Sequence, residues 1–88
     1  FHGLIAVAVA LDSRGAVRGE PGVVLSGLPV EEDRAEFLAE IRDAAAEAAA
    51  EGGRDEARLR ETVRLAVRRA ATRWTGKKPV VEVSLLQV

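Results

Sequence analysis

Residues 4–11, Leu-Ile-Ala-Val-Ala-Val-Ala-Leu, form an uninterrupted apolar run that alternates large and small side chains. At the two-residue period of a strand, Ile5, Val7, Val9 and Leu11 share one face, and Leu4, Ala6, Ala8 and Ala10 share the other. Both faces are apolar, which predicts a central strand and obliges the rest of the chain to cover at least one of them. The run is far shorter than the ~20 residues of a membrane span. No basic segment precedes it, so it does not read as a secretory signal.

The chain has limited material for the task. Its 88 residues make one domain, residues 1–88. Mass scaling gives roughly 5,000 Å² of accessible surface when folded against roughly 13,600 Å² unfolded, enough for one thin core. There is no Cys, Met or Tyr, one His, one Trp and two Phe. A disulfide framework and a thiolate metal site are excluded, and one His cannot build a multi-His zinc site. The sequence begins at Phe1 rather than Met, so we expect an excised piece of something longer.

Turn chemistry divides the remainder. Asp12-Ser13-Arg14-Gly15 reads as a turn with Gly available for positive φ. A second strand starts at Ala16, is interrupted at Gly19-Glu20-Pro21-Gly22 and resumes through Val23-Val24-Leu25. Pro and a bulge place it at a sheet edge. Gly27-Leu28-Pro29 ends it. A helix follows from about Glu32 to Glu51, with Phe37, Ile41, Ala44, Ala45 and Ala48 on one face. After Gly52-Gly53, Asp55 is the expected N-cap of a second helix to about Thr75, with Leu59, Val63, Ala66, Val67, Ala70 and Trp74 on its inner face. Gly76 stands at the C′ position, and Lys77 and Lys78 suit the negative end of the helix dipole. Pro79 then opens a last strand, residues 80–88, with Val81, Val83 and Leu85 toward the core. The predicted fold is α+β, in the order β-β-α-α-β. Antiparallel helices return the chain so that the third strand runs parallel to the first, giving a three-stranded mixed sheet of order 2-1-3 with both helices on one face.

That architecture leaves Leu4, Ala6, Ala8, Ala10, Leu86 and Val88 on a sheet face with no helix to cover it. They are the candidate interface, since an exposed apolar patch marks contact with another subunit or domain. Leu65, on the solvent side of the second helix between Arg58 and Arg69, is a further candidate anchor.

Net charge is −1, but it is unevenly spread. Residues 31–51 carry eight acids and two bases, and residues 52–79 carry nine bases and three acids. The first helix bears an acidic stripe, Glu36, Glu40, Asp43, Glu47 and Glu51. The second bears Arg60, Arg64 and Arg68 at i,i+4 spacing. We read the two helices as mutually satisfying. Arg60, Arg64, Arg68, Lys77 and Lys78 are the candidates for contact with RNA or an acidic partner, although no aromatic interleaves the arginines as a stacking surface would require. His2 reads as a solvated chain end and Trp74 as core. Asp12, Asp33, Asp43 and Asp55 lie on separate elements and form no paired acid. No G-x-x-x-x-G-K-[ST], H-x-H or G-x-S-x-G pattern is present.

Taken together, these elements resemble the C-terminal domain of bacterial ribonuclease J, over residues 4–88. The resemblance rests on the apolar first strand with its Asp12 to Gly15 turn, the Glu20-Pro21-Gly22-Val23-Val24 strand, and the acidic and basic helices. Its most specific part is Thr75-Gly76-Lys77-Lys78-Pro79 leading into an apolar terminal strand. One corner departs from the family, which tends to have a basic residue and an aromatic where this chain has Ser26-Gly27-Leu28-Pro29. The resemblance implies a parent of the metallo-β-lactamase/β-CASP class, a cytoplasmic 5′→3′ exoribonuclease and endoribonuclease. It implies zinc or manganese held by residues this chain does not contain. It also implies an accessory, non-catalytic role here, with the rest of the parent, a homodimer partner and RNA as partners, and no membrane. The alternative is an RNA-binding module like the type II KH core, which shares the element order. KH requires G-x-x-G between short helices, and this junction is Gly52-Gly53-Arg54-Asp55 between long ones.

Overall fold

The computed structural model describes residues 3–27, 32–76 and 78–88. His2, Leu28, Pro29 and Lys77 lie outside them. The elements are β1 (Leu4–Leu11), β2 (Val17–Ser26), α1 (Arg34–Glu51), α2 (Glu56–Thr75) and β3 (Val80–Gln87). The sheet order is β2-β1-β3. β1 is central, antiparallel to β2 and parallel to β3. α1 packs over β2, α2 over β3, and the helices pack on each other.

The alternation in β1 decides the core. Ile5, Val7, Val9 and Leu11 are buried beneath the helices with Phe37, Ile41, Leu59, Val63, Val67 and Val81. Fully burying an aliphatic or aromatic side chain of this kind contributes about 1.5–3 kcal/mol. Ala45, Ala48 and Ala49 of α1 and Ala70 and Ala71 of α2 complete the cluster. Ala44, Ala66, Trp74, Val83 and Leu85 are partly buried against it. No polar or charged residue is buried among the described residues.

Beyond one-residue shifts at the ends of β2 and β3, two features differ from those expected. β2 is one ten-residue strand rather than two pieces. Its pairing with β1 slips, since Ala8 faces Gly22 while Ala10 faces Arg18. Gly19, Glu20 and Pro21 are thus accommodated opposite Val9 in a bulge. Gly19 adopts φ +70°, and Pro21 stands where no ladder N–H is required. α1 begins at Arg34, two residues after Glu32. The Asp33 side chain caps nothing, while the Asp33 carbonyl accepts the Phe37 N–H at 2.9 Å.

α2 is bounded as its sequence dictates. The Asp55 carboxylate accepts the Arg58 N–H at 3.1 Å. At the other end Gly76 takes φ +69° and its N–H donates to the Thr72 carbonyl at 2.8 Å. The accessible surface is 5572 Å², above the roughly 5,000 Å² that mass scaling gives. A two-layer domain with one sheet face uncovered is expected to exceed it.

Candidate functional site

The open face of the sheet is built from rows across three strands. Its side chains in order are Ser26, Leu4, Val80; Val24, Ala6, Glu82; Gly22, Ala8, Ser84; and Arg18, Ala10, Leu86. Gly22, Ala8 and Ser84 make a shallow central trough. A Cβ added at Gly22 would lie 3.9 Å from that of Ala8, so the surface there is almost bare backbone. Larger apolar groups stand around the trough. Val24 is 67% exposed, Val80 57%, Leu86 52% and Val88 73%. Leu4, Ala6, Ala8 and Ala10 are half-buried by their neighbours within the sheet. Arg18 and Glu82 occupy diagonally opposite corners about Ala8.

The structure therefore brings six of the expected interface residues, Leu4, Ala6, Ala8, Ala10, Leu86 and Val88, onto one surface, and adds Val24 and Val80. Val80 was legible in principle, because it shares strand parity with Leu86 and Val88. Val24 depended on the register across the bulge, which residue spacing does not supply. Leu65 is 38% exposed, but it lies on the flank of α2 opposite the buried Val63 and Val67. It points away from the sheet and belongs to a different surface.

The arginines divide between the two sides of α2. Arg69 and Arg73 line a groove with Glu47 and Glu51 of α1, floored by Ala48 and Ala66. The acidic and basic helices do face each other there. Among the described residues, however, the one ion pair within 4.0 Å is internal to α2, where Arg64 binds Glu61 through Nε at 2.9 Å and Nη2 at 2.5 Å. This hydrogen-bonded pairing lowers the Glu61 pKa and raises that of Arg64. Helix attraction in the groove is thus long-range rather than contact pairing. Arg60, Arg64 and Arg68 run along the opposite flank of α2, on the side of β3. Lys78 is exposed just before β3.

Asp12 organises the β1–β2 turn. Its Oδ1 accepts the Ala16 N–H at 3.0 Å and the Arg14 N–H at 2.8 Å. Those two bonds, with the charges of Arg18 and Arg54, hold its carboxyl below the ordinary value. This is structural use of an acid, since both bonds go to backbone N–H groups of its own turn. Among the described residues no three His, Cys, Asp or Glu side chains are placed to share a metal ion. No described helix is long and apolar enough to cross a membrane. The junction between α1 and α2 ends in Asp55, whose carboxylate is committed to capping, and the helices run to 18 and 20 residues. Neither feature suits a KH-type approach to an RNA backbone.

Comparison with known proteins agrees with this geometry. The family model described as "Ribonuclease J C-terminal domain" matches residues 1–88. The chain is 40% identical over 93 aligned positions to the protein named "Ribonuclease J" from Sinorhizobium meliloti. The match covers 100% of this chain and 16% of that relative.

Proposed function

Because this chain belongs to the ribonuclease J C-terminal domain family, we propose that it is the accessory module through which copies of a parent ribonuclease assemble, by way of the open sheet face. The parent in this reading is a cytoplasmic, metal-dependent 5′→3′ exoribonuclease and endoribonuclease. Its zinc or manganese would be held outside this chain, whose described residues offer no ligand cluster. The chain contributes no catalytic group.

The observation that carries the reading is the open face itself. Exposed apolar patches rimmed by polar residues mark interaction sites, and here Val24, Val80, Leu86 and Val88 surround a bare trough with Arg18 and Glu82 at its rim. The charges favour a second copy as the occupant. A two-fold axis lying in the plane of the face, over Ala8 and perpendicular to the Arg18–Glu82 diagonal, sets each Arg18 against the partner's Glu82. Self-complementarity of this kind is what a two-fold interface requires.

Sedimentation of the full-length parent tests it. Ala8→Glu places a charge in the trough and Arg18→Glu sets like charges together. Each should lower the association state while leaving the circular dichroism spectrum and melting temperature unchanged. Combining Arg18→Glu with Glu82→Arg should restore it. An association state unmoved by both single changes overturns the reading.

A further inference from the structure

The two edges of the sheet are not equivalent. The β2 edge carries the bulge, Gly19 at positive φ and Pro21, devices that obstruct pairing with another strand. The β3 edge carries none. Its eight residues pair with β1 in unbroken register from Val80 to Gln87 and contain no Pro and no Gly. The Val80 N–H donates to the Gly3 carbonyl and the Val88 N–H to that of Leu11. Even-numbered residues of β3 thus turn their backbone groups to β1. The N–H and C=O groups of Val81, Val83 and Leu85 consequently point out along the free edge. Such an edge is a template for one more strand.

The flank of α2 above that edge is basic. Thr62, Ala66, Arg69 and Arg73 face α1 across the interhelical groove, and α2 packs over β3. Residues 60, 64 and 68 lie on the opposite flank of the helix and therefore stand over the outer side of β3. Their i,i+4 spacing advances about 6 Å per step along the helix. Alternate residues of a strand advance about 6.6 Å. Arg64 is held by Glu61, so Arg60 and Arg68 are the two that can meet side chains four positions apart on a strand laid along β3.

We propose that the β3 edge accepts an extended acidic segment of another protein as a fourth strand. Main-chain bonds to Val81, Val83 and Leu85 hold its backbone, and Arg60 and Arg68 receive acidic side chains four positions apart, while Arg64 between them stays bound to Glu61. This is strand addition, with the backbone supplying affinity and the arginines selectivity. Pairing of β3 with a second copy of itself is opposed by the same feature. It would bring two helix layers to the same side and set one arginine stripe against the other. Single-stranded RNA fits the flank less well, because no aromatic side chain stands among the arginines to stack on bases. The surface is separate from the open face, so assembly through that face and strand addition at this edge succeed or fail independently.

The test uses the full-length parent and a fluorescent peptide alternating Glu with Val or Thr, with a Lys-for-Glu peptide and a single-stranded RNA oligonucleotide as competing probes. The Glu peptide should bind and slow amide hydrogen exchange at Val81, Val83 and Leu85, whose N–H groups point out along the edge. Arg60→Ala with Arg68→Ala should weaken binding at least tenfold, whereas Arg58→Ala, on the solvent side, should leave it within twofold. Val83→Pro removes an outward N–H at an edge position where Pro is tolerated, and it should also weaken binding. Exchange measured on the arginine variants keeps the outcome readable if that variant fails to fold. The proposal is overturned if the Lys peptide binds equally well, or if only RNA binds. It is also overturned if the outward amides of Val81, Val83 and Leu85 are already protected in the parent without peptide, or if the edge pairs with a second copy.

Discussion

The indole Nε1–H of Trp74 donates to Oε2 of Glu40, joining the last turn of α2 to the first half of α1. The same indole meets Phe37 edge-on, with ring centroids 5.6 Å apart and planes at 78°. Phe37 is fully buried. One aromatic residue therefore has its apolar body against the core and its polar edge on an acid at the rim, the arrangement a buried Trp needs. One of the five acids in the stripe on α1 is thus spent on structure.

Trp74→Phe removes this bond while keeping most of the ring packing. It should destabilise the domain by about 1.5–3 kcal/mol, since a hydrogen bond to a charged group contributes in that range. Glu40→Gln retains an acceptor and should cost less. Urea denaturation with unchanged m values checks both, and equal losses for the two variants would refute the assignment.

Gly52 and Gly53 are adjacent but serve different ends. Gly52 has ordinary helical backbone, φ −69°, yet a Cβ there would fall 2.6 Å from Cδ1 and 3.1 Å from Cα of Leu59. It lets the start of α2 close onto the end of α1. Gly53 adopts φ +72°, with open space where a Cβ would lie. Gly52→Ala should cost about 1–3 kcal/mol through overpacking, and the loss should shrink in a Leu59→Ala background. Gly53→Ala should cost about 1–2 kcal/mol through backbone strain and show no such coupling to Leu59. A double-mutant cycle read by thermal denaturation separates the two.

Asp12 gives a pH dependence of known sign. Its carboxyl is held below the ordinary value of 3.8, first by the Ala16 and Arg14 N–H groups and then by the charges of Arg18 and Arg54. A depressed folded-state value stabilises the fold above the unfolded value, and that contribution is lost as pH falls through the depressed one. Carboxyl titration by nuclear magnetic resonance should place Asp12 below 3.8, and amide exchange at Arg14 and Ala16 should quicken on protonation. A midpoint at or above 3.8 would contradict the geometry.

Much of the fold is local enough to be written in the residue order. Alternation in β1, the Asp55 N-cap, Gly76 after α2 and the return of an antiparallel helix pair suffice for β-β-α-α-β and a 2-1-3 sheet. Each depends on residues a few positions apart or on the handedness and brevity of connections. The open apolar face was legible for the same reason, because strand parity assigns Leu4, Ala6, Ala8 and Ala10 to one side once the helices claim the other.

Other features were settled only when the elements came together. The bulge in β2 absorbs Gly19, Glu20 and Pro21 without breaking the strand, because β1 supplies pairing on both sides of it. That register alone places Val24 beside Ala6 and Arg18 beside Ala10. Which flank of α2 overhangs β3, and so which arginines face the free edge, depends on how the helix rolls against α1. The elements and their faces are legible in residue order alone, since they follow from periodicity and turn chemistry. Tertiary structure decided which faces meet, since cross-strand register and helix roll are set by packing between residues far apart in the chain.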